Sequence, residues 1–267
     1  MHSKSLKVGA FQFSPSSDID ENLHCIKRGI EEAASQNVRL LLTQECAVCG
    51  YPPVEIESID SIDRIQQEKA VQEIRKLAEK HDMYIALGMI TFSDEGTFNS
   101  VQLISPNEKR YNRYHKRALW GWDTDNFIPG DEPGIYSIDG VKIGIRICFE
   151  VRFPEYFREL FADEVDLCLV SFTDIGPKEQ KNKIDVIQSH LVSRAAENVM
   201  YLLSANSISQ HQLAPTCLIN PDGYVIERAP LNKESLIVRE IDFMSPDFGQ
   251  EGRIKHTGQL SYYSRKV

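Results

Sequence analysis

The chain has 267 residues, of which 42% are hydrophobic and 26% are charged, and its formal net charge at pH 7 is −9. This length and composition predict one large domain, residues 1–267, with a sizeable core, and they argue against a disordered chain. The negative charge argues against a nucleic-acid partner, because phosphate binding depends on clustered Lys and Arg.

The chain shows no signal for secretion or membrane insertion. Its start passes directly into an apolar strand pattern at Leu6, and no run approaches the roughly 18 apolar residues of a membrane span. The pair Cys46 and Cys49 lacks a second Cys or His pair at zinc spacing, so we predict loop packing and no metal. We therefore expect a cytoplasmic protein with reduced thiols at six positions: Cys25, Cys46, Cys49, Cys148, Cys168 and Cys217.

Apolar runs alternate with helical patterns along the first half of the chain, which predicts an α/β layered fold. The spacing predicts helices at residues 20–36 and 65–81 and strands at 6–13, 38–43, 83–90, 100–105 and 110–114. The turn residues Pro106 and Asn107 separate the last two strands, and the last three strands suggest a meander.

The second half continues the alternation without a repeat or an interdomain linker. We predict helices at residues 154–162 and 183–198 and strands at 141–148, 165–171, 200–205, 216–219 and 224–228. The residues that could carry chemistry follow the ends of these strands and the earlier ones, where a rigid scaffold commonly presents functional groups.

Cys148 ends an apolar strand and is followed by Pro154, which suits the first turn of the next helix. Such a strand-turn-helix elbow exposes a nucleophile and directs backbone N–H groups at a developing oxyanion. A buried cysteine that only fills the core would fit the same position. If Cys148 is catalytic, a nearby base and cation are expected to raise its thiolate fraction.

Two charged residues, like Cys148, lie at the ends of predicted strands. Glu45 follows the apolar run 40–43, where partial desolvation would raise its pKa and suit it to proton transfer. Lys116 follows the predicted strand 110–114 within a basic stretch. Each residue alone also fits a solvated surface position, so neither identifies a site by itself.

Together the three residues supply the groups that a cysteine needs to hydrolyse an amide: a base, a cation for the oxyanion and an acid for the leaving nitrogen. The order Glu45, Lys116, Cys148 resembles the nitrilase superfamily, or carbon-nitrogen hydrolase family, whose members use a Glu-Lys-Cys set. Further fragments resemble this family in the same order along nearly the whole chain: Gly9-Ala-Phe-Gln12, Leu41-Leu-Thr-Gln-Glu45, Gly50-Tyr-Pro52, Tyr114-His-Lys116, Phe127-Ile-Pro-Gly-Asp131, Ile147-Cys-Phe-Glu-Val-Arg-Phe-Pro-Glu155, Arg194-Ala-Ala-Glu-Asn198 and Asn220-Pro-Asp-Gly223.

The resemblance implies a four-layer α-β-β-α sandwich of the nitrilase type, with no metal and no organic cofactor. It also implies homodimers or larger assemblies packed through a helical face. By the same resemblance Cys148 attacks a nitrile or amide carbon, Glu45 is the base and Lys116 is the oxyanion partner. Water then releases the acid from the covalent acyl or thioimidate species.

One departure from the family pattern concerns its second carboxylate. Many members carry a second Glu a few residues before the turn at Phe127, and this chain has Asp123 there. We assign Asp123 to hold the Lys116 cation charged and in place. Because the segment between Lys116 and Phe127 is shortened, Asp125 is an alternative, and both could be exposed loop residues without a catalytic task.

Three residues are assigned to substrate binding: Phe149 beside the nucleophile, Trp120, and Thr173 just beyond the strand 165–171. Trp120 would equally suit a residue that covers the core, and Thr173 an ordinary turn hydroxyl. Arg152 is assigned a structural ion pair with a neighbouring carboxylate, with an acidic substrate as the alternative.

The resemblance of Leu119-Trp120-Gly121 and of the turn at residues 127–130 to amidase branches favours a small carboxamide, R-CO-NH2, as the partner, cleaved to a carboxylate and ammonia. A hydrolase of N-carbamoyl amino acids or amines, or a nitrilase, would use the same nucleophile. A catalytically inactive binding protein of the same fold is the alternative from another class. The intact set of Glu45, Lys116 and Cys148 argues against it.

Overall fold

A computed structural model of the protein describes residues 4–107 and 112–264. Within these residues two six-stranded sheets pack face to face, and helices cover their outer faces. The predicted four-layer α-β-β-α sandwich is therefore confirmed.

The first sheet contains parallel strands in its centre and antiparallel strands at both edges. Its strands are β1 (Lys4–Gln12), β2 (Leu40–Thr43), β3 (Tyr84–Ser93), β4 (Gly96–Ile104), β5 (Asn112–His115) and β14 (Ser235–Phe243). Their order across the sheet is β14-β1-β2-β3-β4-β5. β1, β2 and β3 run parallel, whereas β3, β4 and β5 form the predicted antiparallel meander.

The second sheet has the same plan. Its strands are β6 (Ile135–Ile138), β7 (Val141–Ile147), β8 (Leu167–Phe172), β10 (Tyr201–Asn206), β12 (Cys217–Ile219) and β13 (Val225–Arg228), in the order β13-β12-β10-β8-β7-β6. The central strands β7, β8 and β10 are parallel. Two short strands, β9 (Ile175–Gly176) and β11 (His211–Gln212), pair beside this sheet.

The helices form the outer layers. They are α1 (Ile19–Ser35), α2 (Arg64–His81), the single turn α3 (Asp123–Asn126), α4 (Pro154–Ala162), α5 (Lys183–Asn198) and α6 (Phe248–Ser264). Apolar side chains of α1 and α2 pack on the first sheet, and those of α4 and α5 pack on the second. None of the helices in the described part of the chain is long and apolar enough to cross a membrane.

The strand β2 shows why the central strands appear in the sequence as continuous apolar runs. Leu40 and Leu42 face the core between the two sheets, whereas Leu41 faces the core beneath the helices. Successive side chains of a strand point to opposite faces, and here both faces are covered. Burial on both sides therefore places β2 in the middle of the sandwich.

Hydrogen bonds between the two sheets bring the ends of their central strands together. The hydroxyl of Ser171 in β8 donates to the carbonyl of Thr43 in β2 over 2.6 Å. The backbone N–H of Glu45 donates to the carbonyl of Phe172 over 3.3 Å. The carboxyl ends of β2 and β8 thus meet at one end of the sandwich.

The sequence predictions agree best where the pattern is local. The helices predicted at residues 154–162 and 183–198 have these bounds in the structure. The strand predicted at 110–114 begins at Asn112 in the described chain, because residues 110 and 111 lie outside the described residues. The structure adds β6, β14 and α6, which were not predicted.

Candidate active site

Lys116 and Cys148 line one cavity of about 240 Å³ at the end of the sandwich. Glu45 follows β2, Lys116 follows β5 and Cys148 follows β7. The structure therefore brings together three residues that are far apart in the sequence, as the predicted positions at strand ends require.

The Lys116 ammonium is held between two buried carboxylates. Its Nζ donates to Glu45 Oε1 over 2.8 Å and to Asp123 Oδ2 over 2.7 Å. The side chains of Lys116, Glu45 and Asp123 are 2%, 1% and 0% exposed. Burial alone lowers the pKa of Lys116, but the negative charges of Glu45 and Asp123 outweigh it, and the pKa lies well above its usual value. Lys116 therefore stays charged.

Glu45 is fixed by hydrogen bonds to both carboxylate oxygens. Besides the Lys116 bond, Oε1 accepts from Asn99 Nδ2 over 2.7 Å, and Oε2 accepts from the backbone N–H of Thr173 over 2.7 Å. Burial raises the pKa of Glu45, while the charge of Lys116 opposes this shift. A raised pKa in a fixed carboxylate suits a general base that works near neutral pH.

Asp123, not Asp125, is the second carboxylate of the site. Asp123 begins the single-turn helix α3 and accepts a hydrogen bond from Tyr51 Oη over 2.6 Å in addition to the Lys116 bond. Asp125 is exposed to solvent. The alternative of two exposed loop aspartates is wrong for Asp123, which is completely buried.

Cys148 occupies a backbone conformation that few L-residues adopt. Its φ of 46° lies in the left-handed region, at the junction of β7 with the 3₁₀ turn Cys148–Arg152 that precedes α4. A sharp strand-to-helix turn of this kind presents a nucleophile at the end of a sheet. Cys148 is partly exposed and lines the cavity, so it is not solely a core-filling residue.

The expectation of a raised thiolate fraction at Cys148 is wrong. Burial raises the pKa of Cys148 well above the usual value for a thiol, the charge of Glu45 raises it further, and Lys116 only partly compensates. The thiol form therefore predominates in this structure. Nucleophilic attack then requires a base that removes the proton as the bond forms.

The Glu150 carboxylate stabilises the turn at Cys148 through hydrogen bonds. Its Oε2 accepts from the backbone N–H of Ile147 over 2.6 Å, and its Oε1 accepts from the N–H of Arg117 and from Tyr114 Oη, both over 2.7 Å. These bonds join the residues on either side of Cys148 to the segment that carries Lys116. The buried carboxylate thus sets the relative position of the nucleophile and the cation.

The three residues predicted to bind substrate all line the cavity. Trp120 is 57% exposed at its rim, so the core-covering alternative is wrong for this residue. Phe149 lies beside Cys148, with its ring in edge contact with Phe153 at 5.1 Å between centroids. Thr173 lines the cavity and also holds Glu45 through both its N–H and its hydroxyl.

Two glycines permit the close backbone contacts that support this site. A Cβ at Gly88 would come within 2.0 Å of the Gln44 carbonyl oxygen, next to Glu45. A Cβ at Gly130 would come within 2.4 Å of the His115 carbonyl oxygen, next to Lys116. Such distances exclude any side chain, so both positions depend on glycine.

The sequence alone indicates no role for Asn99 or Tyr51, whose side chains donate hydrogen bonds to Glu45 and Asp123, respectively. Tyr51 lies in the Gly-Tyr-Pro fragment, which was a usable signal. Asn99 lies within β4, and a polar residue in an apolar strand was its only signal.

Cys46 and Cys49 are buried in the core, as predicted for loop packing. Within residues 4–107 and 112–264, no three His, Cys, Asp or Glu side chains are arranged to hold a metal ion.

Only two of the six cysteines, Cys25 and Cys148, are partly exposed. We expect iodoacetamide to label these two in the native protein, with loss of turnover following the labelling of Cys148. Because the pKa of Cys148 is raised, its labelling rate should keep increasing above pH of about 8.5, the usual pKa of a free thiol. Peptide mass spectrometry measures both rates, and Cys25→Ser is the control. Labelling of Cys46 or Cys49 ahead of Cys148 would contradict this site.

The fold is the nitrilase-type α/β sandwich. The structure superimposes with a TM-score of 0.81 on a variant of an amidase from Nesterenkonia, which is a member of the nitrilase superfamily. The two chains are 20% identical, and the superposition covers 98% of this chain and 97% of the amidase. The sequence model of the carbon-nitrogen hydrolase family matches residues 7–245 of this chain. The chain belongs to the carbon-nitrogen hydrolase family.

Three relatives are similar to this chain over most of their length. The chain is 29% identical to a hydrolase of Pseudomonas protegens, covering 90% of this chain and 84% of that protein. It is 27% identical to a deaminated glutathione amidase of Synechocystis, covering 90% and 92%, and 23% identical to a 2-oxoglutaramate amidase of Bacillus subtilis, covering 79% and 81%. The protein is therefore an amidase-like carbon-nitrogen hydrolase.

Proposed function

We propose that this enzyme hydrolyses a small primary carboxamide to a carboxylate and ammonia through an acyl-enzyme on Cys148. One observation carries the proposal: the Cys148 thiol shares a small cavity with a Lys116 ammonium that is bonded directly to the Glu45 carboxylate. This arrangement supports the assignment of a nucleophile, a cation and a base to one site. An inactive binding protein would have no need of a buried carboxylate beside a cysteine in a strained backbone conformation.

In the first half of the reaction, Cys148 Sγ attacks the amide carbon while Glu45 takes the thiol proton. The carbonyl oxygen becomes an oxyanion, which the Lys116 ammonium stabilises. When the tetrahedral intermediate collapses, its C–N bond breaks and the proton on Glu45 passes to the nitrogen. Ammonia leaves, and a thioester joins the acyl group to Cys148.

In the second half, water attacks the thioester carbon while Glu45 takes a proton from the water. The C–S bond breaks, the proton returns to the sulfur, and the carboxylic acid leaves and ionises. The same carboxylate thus serves as base in both halves. Asp123 does not exchange a proton in this sequence, and its charge holds Lys116 in position.

The size of the cavity supports a small substrate. Its volume of about 240 Å³ lies below the roughly 300 to 1,000 Å³ typical of pockets for drug-sized ligands. The relatives point to the same class of reaction, because two of them are amidases. In addition, one variant of the Nesterenkonia amidase has been solved with butyramide, and another carries the acetamide moiety of fluoroacetamide on its active-site cysteine.

The test is an ammonia-release assay with primary amides of two to five carbons, N-carbamoyl amino acids and the matching nitriles. We expect the amides to give the highest kcat/KM. Faster turnover of the carbamoyl compounds or of the nitriles would replace the amidase by that alternative. Absence of turnover with all three groups, in protein that is folded, would support an inactive binding protein.

A further inference from the structure

Asn99 is a buried residue of β4 that contacts the segments carrying both the base and the cation. Its side-chain Nδ2 donates to Glu45 Oε1 over 2.7 Å, and its carbonyl accepts from the Lys116 backbone N–H over 2.8 Å. Asn99 is 1% exposed and does not line the cavity. It therefore influences the reaction through Glu45 and Lys116 and not through the substrate.

The two carboxylate oxygens of Glu45 differ in their hydrogen bonds. An ionised carboxylate has about four lone-pair sites, two on each oxygen. Both sites of Oε1 are occupied, one by Lys116 Nζ and one by Asn99 Nδ2. Within residues 4–107 and 112–264, Oε2 accepts only the backbone N–H of Thr173. The open lone-pair site of this carboxylate therefore lies on Oε2.

The Cys46 thiol sets the orientation of the Asn99 amide group. This thiol is completely buried and donates to Asn99 Oδ1 over 3.8 Å. Burial raises the pKa of Cys46 well above its usual value, so the thiol keeps its proton and remains a donor. Because Oδ1 accepts from Cys46, the amide nitrogen is directed to the other side, where Glu45 Oε1 accepts its hydrogen bond.

We propose that Asn99 is a positioning residue that occupies Glu45 Oε1 and so leaves Oε2 as the oxygen that accepts the Cys148 proton. This inference rests on the proposed function and deepens it, because it assigns the base to one atom. The S–H proton moves to the open lone pair of Oε2, and the electron pair that it leaves on Sγ forms the bond to the amide carbon. Oε1 keeps its two hydrogen bonds, which hold the carboxylate in one orientation for the transfer.

The hydrogen bond from Asn99 also favours the charged form of Glu45. Burial raises the pKa of Glu45, whereas the charge of Lys116 and the hydrogen bonds from Lys116 and Asn99 lower it. Removing the Asn99 bond is therefore expected to raise this pKa further. The titratable groups that interact with Glu45 all remain in such a variant: Lys116, Asp123, Cys46, Tyr51, Glu55 and Cys148.

The test is the pH profile of kcat/KM for a small amide in Asn99→Leu, which removes the donor and keeps a side chain of similar shape. We expect the acid limb to move upward by roughly one to two pH units, the equivalent of one hydrogen bond to a charged group. On the plateau above this limb, kcat should fall by roughly 10- to 100-fold, because the base is less well positioned. KM should change less than about twofold, since Asn99 does not line the cavity.

Two further variants test the same role if Asn99→Leu does not fold, which melting temperatures show. Asn99→Asp keeps the shape but puts a carboxylate against Glu45, and this like charge should move the acid limb upward by more than Asn99→Leu does. Cys46→Ala removes the thiol that orients the amide and should move the limb upward by less.

Two controls remove comparable groups that lie elsewhere. Cys49→Ala removes a buried thiol of the same loop that donates to the Gly50 carbonyl. Gln102→Leu removes a buried amide of the same strand that accepts from Arg113. Both variants should keep the acid limb of the wild type.

The outcomes separate this inference from the proposed function. An acid limb that stays in place in the Asn99 variants, or that moves equally in the controls, would overturn the positioning role and leave the proposed function standing. If no amide is turned over, the proposed function fails. The pH profile of Cys148 alkylation by iodoacetamide then decides the positioning role, because alkylation also requires Sγ to lose its proton. A profile that moves upward in the Asn99 variants supports this role, and one that stays in place refutes it.

Discussion

Replacing Cys148 by Ala is expected to lower turnover by roughly four to six orders of magnitude, the loss typical of removing the nucleophile of a catalytic set. The variant should still fold. Cys148 lines the cavity and is partly exposed, so removing its sulfur leaves only a small void in the packing. Alanine meets the same backbone restriction at a φ of 46° as cysteine does, so the substitution adds no strain.

A melting curve and a turnover assay measure the two effects separately. The expected cost in stability is about 1 kcal/mol, which corresponds to roughly 2 to 4 °C in melting temperature for a chain of this size. Cys168→Ala is the matched control, because Cys168 is completely buried in β8 and outside the cavity. It should lose more stability and keep turnover. The reverse pattern would identify Cys148 as a structural cysteine.

Replacing Glu45 by Gln is expected to lower the acylation rate by roughly two to four orders of magnitude, the contribution of a positioned general base. Any acyl-enzyme that forms should persist, because the same base is missing when water attacks. The amide nitrogen of Gln would also face the N–H of Thr173, where Glu45 Oε2 now accepts a hydrogen bond. The substitution therefore removes the base and weakens its anchoring.

Mass spectrometry after incubation with a reactive amide or ester should show an adduct on Cys148 that decays slowly in Glu45→Gln. The acid limb of the pH profile is a second measurement. The base must be deprotonated, and its pKa is raised, so wild-type turnover should fall as the pH drops through a value above the usual carboxyl range. Glu45→Asp keeps a carboxylate but shortens its side chain by one methylene group. This variant should show an intermediate loss of turnover and retain the acid limb of the pH profile. Wild-type acylation and deacylation rates in Glu45→Gln would remove Glu45 from the mechanism.

Local pattern was sufficient for the central elements of the fold. The helices α4 and α5 were predicted with their observed bounds, because apolar spacing and a proline at the first helical position are encoded within each segment. The helix α6 was missed because it contains three glycines and no continuous apolar face. The strand β14 pairs with β1 from the opposite end of the chain, and no local sequence pattern predicts that pairing.

The candidate site divides in the same way. Glu45, Lys116 and Cys148 could be selected from the sequence, because each follows a predicted strand and their order resembles a known set. The choice of Asp123 over Asp125 depends on the turn of α3, which directs the former inward. The hydrogen bond from Asn99 to Glu45 depends on the neighbouring strand β4.

The predicted ion pair of Arg152 is wrong for residues 4–107 and 112–264, where no carboxylate pairs with it, because an ion pair depends on which carboxylates the folded chain brings near. The physical reason is common to these cases. Sequence periodicity reports whether a residue is buried or exposed on its own element, whereas contacts between residues remote in the chain are decided by how the two sheets and their loops pack.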